Sequence, residues 1–277
     1  MNYKDTHIMP NWINNYGRYI ALAIISSRSN YAYLGDVLSR QLFLAVILYI
    51  FLRLWKMTYL HCGVEHMAGL SLPQMLWYLG VTEAITLSSS PVSTIVDEEV
   101  RTGSIAIQLI RPIPYPLYRL ALYLGERFVR LTCNLAVGAL LCLILVKEMP
   151  IAPLGFLALA IALPLAIVLD FLGNFLVGLG AFWLENTSGI LFIYSRLTMI
   201  LGGMLIPLDL LPEPYAGFAK SLPFASMVYG PAKQFVHPSY KELLPMLGLQ
   251  TFWILVFAMI VWHVYLLALK RIAANGG

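Results

Sequence analysis

Residues 152 to 183 run for thirty-two positions with a single charged side chain, Asp170. A run that long is either the heart of a large soluble core or a membrane crossing, since a hydrocarbon layer about 30 Å thick takes roughly 20 apolar residues of helix. Composition decides between them. The 277-residue chain is 60% hydrophobic and only 12% charged, with a mean hydropathy of +0.76. A soluble domain carries about 25% charged residues, and half that share cannot cover a globule of this size. The chain is therefore read as an integral membrane protein, which excludes a soluble enzyme, a DNA-binding domain, a disulfide scaffold and a disordered tail. Its net charge of +4 fits cations gathered on one side of a bilayer, and no basic run suggests nucleic acid. Cys62, Cys133 and Cys142 are odd in number, so no disulfide framework follows. The first 33 residues lack the continuous apolar core and small-residue cleavage site of a secretory signal.

Six runs are long and apolar enough to be candidate spans: 37–57, 72–93, 129–147, 152–183, 188–209 and 245–269. The expected fold is an all-α polytopic membrane protein in which residues 1–277 form one transmembrane domain. The fourth run is long for one crossing, so it tilts or emerges as a stalk, and Pro164 marks a candidate kink. With the N-terminus cytoplasmic, the inner segments hold eleven cations: Lys4, Arg18, Arg28, Arg40, Arg101, Arg111, Arg119, Arg127, Arg130, Lys270 and Arg271. The outer ones hold Lys147, Lys220, Lys233 and Lys241, with Arg53 and Lys56 at the outer end of the first span. That imbalance places both termini inside.

Outside the spans, Trp12, Tyr16, Tyr19, Ile20, Ala23 and Ile24 recur at helical spacing with Asn14, Asn15 and Arg18 between them. Residues 11–33 therefore read as an amphipathic helix along the cytoplasmic interface. Residues 207–245 hold seven prolines, Pro207, Pro212, Pro214, Pro223, Pro231, Pro238 and Pro245. The apolar piece between them is too short and interrupted to span, and reads as a re-entrant or interfacial helical pair on the outer side.

Polar groups at membrane depth are functional candidates, because each is costly unless it meets water or a partner. Glu83 lies mid-way along the second span, and Thr86 and Ser90 follow at offsets of three and four, on one helical face. That face looks toward a pathway or a subunit interface, or else Glu83 is protonated or paired for packing. Asp170 and Asn174 give the fourth span a similar stripe. Arg196 stands about 10 Å from the inner end of the fifth span at 1.5 Å per residue. It reads as snorkelling to headgroups, with a pair to Asp170 as the alternative. Glu126 and Arg130 form an ordinary helical ion pair. His61, Cys62, Glu65 and His66 are metal-ligating types, but no second cluster joins them, so the stretch reads as a polar turn without metal. His7, His237 and His263 are scattered, and no nucleophile with its base suggests catalysis.

The most specific stretch runs from Asp97 to Pro112, D-E-E-V-R-T-G-S-I-A-I-Q-L-I-R-P. Three acids lead it and Arg111 ends it, as a helix dipole favours over 97–111. Val100, Gly103, Ile107 and Ile110 share a face, although Ile105, Ile107 and Leu109 also alternate as a strand would. Pro112, Pro114 and Pro116 forbid continuation. A short helix with one apolar face docks on its own spans, on the lipid interface or on a partner.

This stretch resembles the E-x-R-x-G-x-L-x-x-x-L-x-x-P signature of bacterial ABC (ATP-binding-cassette) permeases of the type-2 family, in particular the branch with six spans and about 260 residues. Ile105 stands where many relatives have Leu. Leu222-Pro223-Phe224 with Tyr229 and Pro231 is similar to the L-P-F-x-x-x-x-Y-x-P stretch before that branch's last span. The resemblance implies a permease subunit of an exporter in the bacterial inner membrane. It implies that 97–111 is a coupling helix, with Glu98, Glu99, Arg101, Gly103 and Ser104 contacting separate ATPase subunits in two copies. It also implies a second permease, identical or related. The chain has no GxxxxGK[ST] loop, so ATP and magnesium are expected on the partner and no cofactor on this chain. A competing reading is an ion-gradient transporter using Glu83 or Asp170, which would call for inverted repeats, and no repeat is visible. A lipid-modifying membrane enzyme would need converging His, Asp or Ser, also not visible.

Overall fold

The computed structural model describes residues 11–30, 34–149 and 152–275, so Lys4, His7 and residues 31–33 lie outside the described residues. Helix α1 (Asn11–Asn30) is followed by α2 (Leu34–Cys62), a hairpin of β1 (His66–Met67) and β2 (Leu70–Ser71), and α3 (Leu72–Leu87). Next come α4 (Val92–Arg101), α5 (Ile105–Leu109), α6 (Tyr115–Val146), α7 (Pro153–Leu179) and α8 (Ser188–Leu201). Three short helices, α9 (Tyr215–Ser221), α10 (Pro223–Met227) and α11 (Tyr229–Val236), lead into α12 (Tyr240–Asn275).

Among the described residues, four helices are long and apolar enough to cross a membrane: Ser39–Cys62, Tyr115–Val146, Pro153–Phe182 and Tyr240–Arg271. Large apolar side chains stand exposed along them, among them Phe43 and Ile50 on α2, Phe128 and Ile144 on α6, and Leu255 and Met259 on α12. Water would not tolerate so much contiguous apolar surface, and lipid would. The chain is an all-α, multi-pass membrane protein.

The spans differ from expectation in length. The second, expected over 72–93, is the 16-residue α3, about 24 Å long. It starts at the Ser71 cap, where the Ser71 side chain accepts from the Gln74 amide and the Gln74 side chain accepts from the Ser71 amide. Every residue from Met75 to Ile85 is buried, with α2, α6 and α11 packed around it, so α3 is the central post of the molecule. The fifth, expected over 188–209, stops at Leu201. Gly202 and Gly203 turn the chain there, Gly203 at φ +65°, and Asp209 falls outside the helix.

The third span was expected over 129–147, yet α6 starts at Tyr115. The prolines end one helix and open the next: Pro116 lies in the first turn of α6, where a missing N–H costs nothing. Arg119 and Arg127 are therefore helical residues, not loop charges. Helix α7 runs unbroken through Pro164. The expected polar turn at 61–66 is the end of α2 plus the β-hairpin, and the expected outer pair within 207–245 is three short helices.

Helix α1 packs along α6. Ser26 Oγ donates to the Leu122 carbonyl at 3.0 Å and Ser27 Oγ to the Gly125 carbonyl at 2.9 Å. A Cβ at Gly125 would overlap the Ala23 carbonyl. The face with Ala23 and Ser26 is thus turned to protein, whereas Ile20, Ile24 and Ile25 are exposed. Ala23 was expected to share the face of Ile20 and Ile24. The contact with α6 separates it from them.

Candidate functional site

The expected single helix 97–111 is two helices with a turn between. Helix α4 begins at Val92, so Asp97, Glu98 and Glu99 occupy its last half and not an N-terminal turn. Acids near a C-terminus oppose the dipole, and side-chain partners compensate two of them. Asp97 accepts from the Thr187 amide at 3.2 Å and the Thr187 hydroxyl at 2.8 Å, which ties α4 to the loop before α8. Glu99 is ion-paired to Arg119 and accepts from the Tyr115 hydroxyl at 2.6 Å, which ties α4 to α6. Against α7 the approach is closer still: a Cβ at Gly178 would stand 2.9 Å from the Ser93 carbonyl oxygen and from the Val96 Cβ.

Beyond Arg101 the chain reverses at Gly103, which has φ +73° and no atom within 4 Å of a built Cβ. The Thr102 hydroxyl donates to the Glu98 carbonyl at 2.8 Å, and the Thr102 and Ser104 hydroxyls lie 2.9 Å apart. Ile105 is buried against Tyr115, Phe175 and Val96, anchoring the return arm. The turn breaks the face expected from Val100 through Ile110: Val100 packs inward, while Ile107 is 67% and Ile110 82% exposed. Glu98, Arg101, Thr102 and Gly103 are exposed with them. Of the five residues assigned to partner contact, Glu98, Arg101 and Gly103 sit at an open tip. Ser104 is half-buried, and Glu99 is engaged by Arg119 and Tyr115.

Below this tip lies a buried polar cluster. Asp170 on α7 is ion-paired to Arg127 of α6 and accepts from the Tyr123 hydroxyl. Ser89 Oγ donates to Asp170 at 3.2 Å and the Asn174 amide at 3.1 Å. Arg127 also donates to the Tyr123 hydroxyl oxygen and, at 3.1 Å, to the Ile85 carbonyl at the end of α3. Three helices and the 88–91 segment are thus joined through one ion pair. Gln41 and Asn134 bridge α2 to α6 at 2.7 Å one layer further on.

A cavity of about 200 Å³ opens beside the pair, and Thr86, Asp170 and Asn174 line it together with Ser89, Arg127 and Tyr194. Glu83 and Ser90 do not. Glu83 is buried within α3 with Oε1 lacking a hydrogen-bond partner. Ser90 lies beyond the end of α3, where its hydroxyl donates to Glu126. The polar face expected across Glu83, Thr86 and Ser90 is divided because α3 stops at Leu87. Arg196 does not approach Asp170. It is exposed on α8 and rests over the Phe192 ring at 4.9 Å. The Glu126–Arg130 pair is present at 3.9 Å.

Sequence reasoning missed Arg127, Tyr123 and Arg119. The signal was available in their spacing of four, which aligns them on one face once α6 is allowed to start at Tyr115.

No curated protein shows significant similarity to the chain. A family model described as ABC-2 family transporter protein matches residues 43–276, which runs from within α2 through α12 and takes in the α4–α5 tip and the buried ion pair. The chain belongs to the ABC-2 transporter family.

Proposed function

We propose that this chain is the permease subunit of an ATP-driven exporter in the bacterial inner membrane, coupled to separate ABC ATPase subunits at the α4–α5 turn. The observation that carries this reading is the asymmetry of α4. Its inner face is fastened to α6, α7 and the loop before α8, while its tip presents Glu98, Arg101 and two exposed isoleucines. Isoleucines on a polar end are costly in water and suit a partner's groove. The bare Gly103 lets another backbone come close.

In this reading, ATP and magnesium bind the partner ATPases, whose closure displaces the α4–α5 tip. Glu99 passes the displacement to Arg119 on α6, Asp97 to the start of α8, and Gly178 to α7. The Arg127–Asp170 pair lies where these helices meet, so reshaping the bundle rearranges the adjoining cavity. Helices α3 and α8 serve as the second and fifth of six spans, both termini are cytoplasmic, and α9–α11 form the outer re-entrant segment.

A second permease copy completes the pathway at α8. No residue of α8 is buried within this chain, and Arg196 stands on its exposed surface part-way along the helix. A guanidinium there is costly against lipid, and another protein surface relieves that cost.

The test is Gly103→Trp in the assembled transporter. Indole bulk at the tip is expected to leave the chain inserted and ATP hydrolysis running while transport falls. Normal transport by the variant contradicts coupling at this turn. An ion-gradient mechanism retains one feature in its favour, the unpartnered Glu83 Oε1. Transport by a Glu83→Gln variant that still follows ATP separates the two.

A further inference from the structure

At the end of α3 opposite the α4 tip, a cavity of about 570 Å³ opens between the β-hairpin, α11 and the start of α12. That is the size of a small-molecule site, where about 300–1,000 Å³ is usual. Three lysines line it, against two carboxylates, Asp209 and Glu242.

Asp209 is already occupied: it accepts from Lys220 at 2.7 Å, from Lys233 at 2.8 Å and from the Tyr229 hydroxyl at 2.8 Å. Glu242 is exposed at the rim and accepts from Gln234 at 3.5 Å, so the lysines outnumber the carboxylates by one. The ammonium groups are only partly used, since each carries three donors. Lys233 spends one on Asp209 and one on the Ala68 carbonyl at 3.2 Å. Lys241 is exposed and, among the described residues, has no acidic partner within ion-pair distance.

The wall also holds Gln234, His237 and Ser226. Ser226 is 2% exposed, and its hydroxyl has no hydrogen-bond partner, which is costly unless something fills the role. The apolar part of the wall is Pro245, Met246 and Leu249, on successive turns of α12.

Surplus lysine donors together with the apolar stripe of α12 define an amphipathic ligand. We propose that this cavity binds an anionic amphiphile, its acidic head at Lys241 and Lys220 and its tail along Pro245, Met246 and Leu249. An anionic phospholipid and a free apolar acid share this chemistry. The site rests on the chain's placement in a membrane and not on the coupling role of α4–α5, so failure of one leaves the other standing.

The test is native mass spectrometry of the full-length chain in mild detergent, titrated with phosphatidylglycerol or phosphatidylcholine. Phosphatidylglycerol should be retained about tenfold better, the effect of losing one charged hydrogen bond. Lys241→Glu should abolish that preference with unchanged helicity by circular dichroism. Ser226→Ala, which removes no packing, should weaken it. Competition by oleate identifies a free amphiphile as able to fill the site, and its failure assigns the site to phospholipid. Equal retention of both lipids, or displacement of phosphatidylglycerol by millimolar inorganic phosphate alone, overturns the proposal.

Discussion

Arg127 and Asp170 illustrate how a buried charge constrains its neighbours. Removing either partner leaves the other uncompensated in a low-dielectric interior, at a cost of about 3–5 kcal/mol, whereas neutralising both is far less damaging. Arg127→Met should therefore lower the unfolding temperature sharply, and Arg127→Met combined with Asp170→Asn should recover much of the loss. With the exposed Cys62 and half-buried Cys133 replaced by Ser, the buried thiol of Cys142 makes a thiol-reactive dye the reporter. Equal destabilisation by the single and double variants contradicts the pairing. At Asp209, burial pushes the carboxyl pKa up, but hydrogen bonds from Lys220, Lys233 and Tyr229 outweigh it and hold the value below the usual range. A depressed folded pKa gives stability that is present above the unfolded value of about 3.9 and lost as pH falls through the folded one. The stability difference between wild type and Asp209→Asn should accordingly stay constant from about pH 7 to 4 and shrink on acidification below about pH 4. A difference that stays constant below about pH 4 contradicts the network. Asp170 was legible as a functional candidate from its place in an apolar run, but its partner was not. Arg196 looked closer in the linear map, and only the true start of α6 brings Arg127 into range.

At the scale of elements, the glycines mark where helices touch. Gly125→Ala forces the Ala23 backbone away, so α1 should detach from α6 and Arg18 become a ready trypsin site, read by limited proteolysis of the folded protein. Gly178→Ala introduces a Cβ into contact with Ser93 and Val96 of α4. Overpacking of this kind costs about 1–3 kcal/mol, and here it should also separate α4 from α7, reducing transport more than ATP hydrolysis. The long apolar helices were readable because hydropathy alone specifies them. The short ones were not, since a 16-residue buried helix and its following loop carry the same apolar pattern as a longer crossing. The 97–111 segment misled for a related reason. Its acids suit a helix N-terminus in isolation, and only Arg119, Tyr115 and Thr187, distant in sequence, make them acceptable at a C-terminus.

For the whole molecule, apolar outer faces of α2, α6 and α12 against a polar tip and a lysine-lined cavity at opposite ends of α3 describe a bilayer protein with two distinct aqueous ends. In the proposed permease pair the exposed α8 with Arg196 is the contact: Ser195→Cys in the native membrane should give a disulfide-linked permease dimer under mild oxidation, and only monomer would contradict it. The central claim is that a separate ATPase docks on the α4–α5 turn. Its most direct test is co-purification of the tagged chain from its native membrane in mild detergent after crosslinking, with subunit masses and ATPase activity measured on the product. A stable complex with a cassette ATPase, crosslinked through residues 98–107, is the predicted result. A complex that reproducibly lacks any ATPase contradicts it.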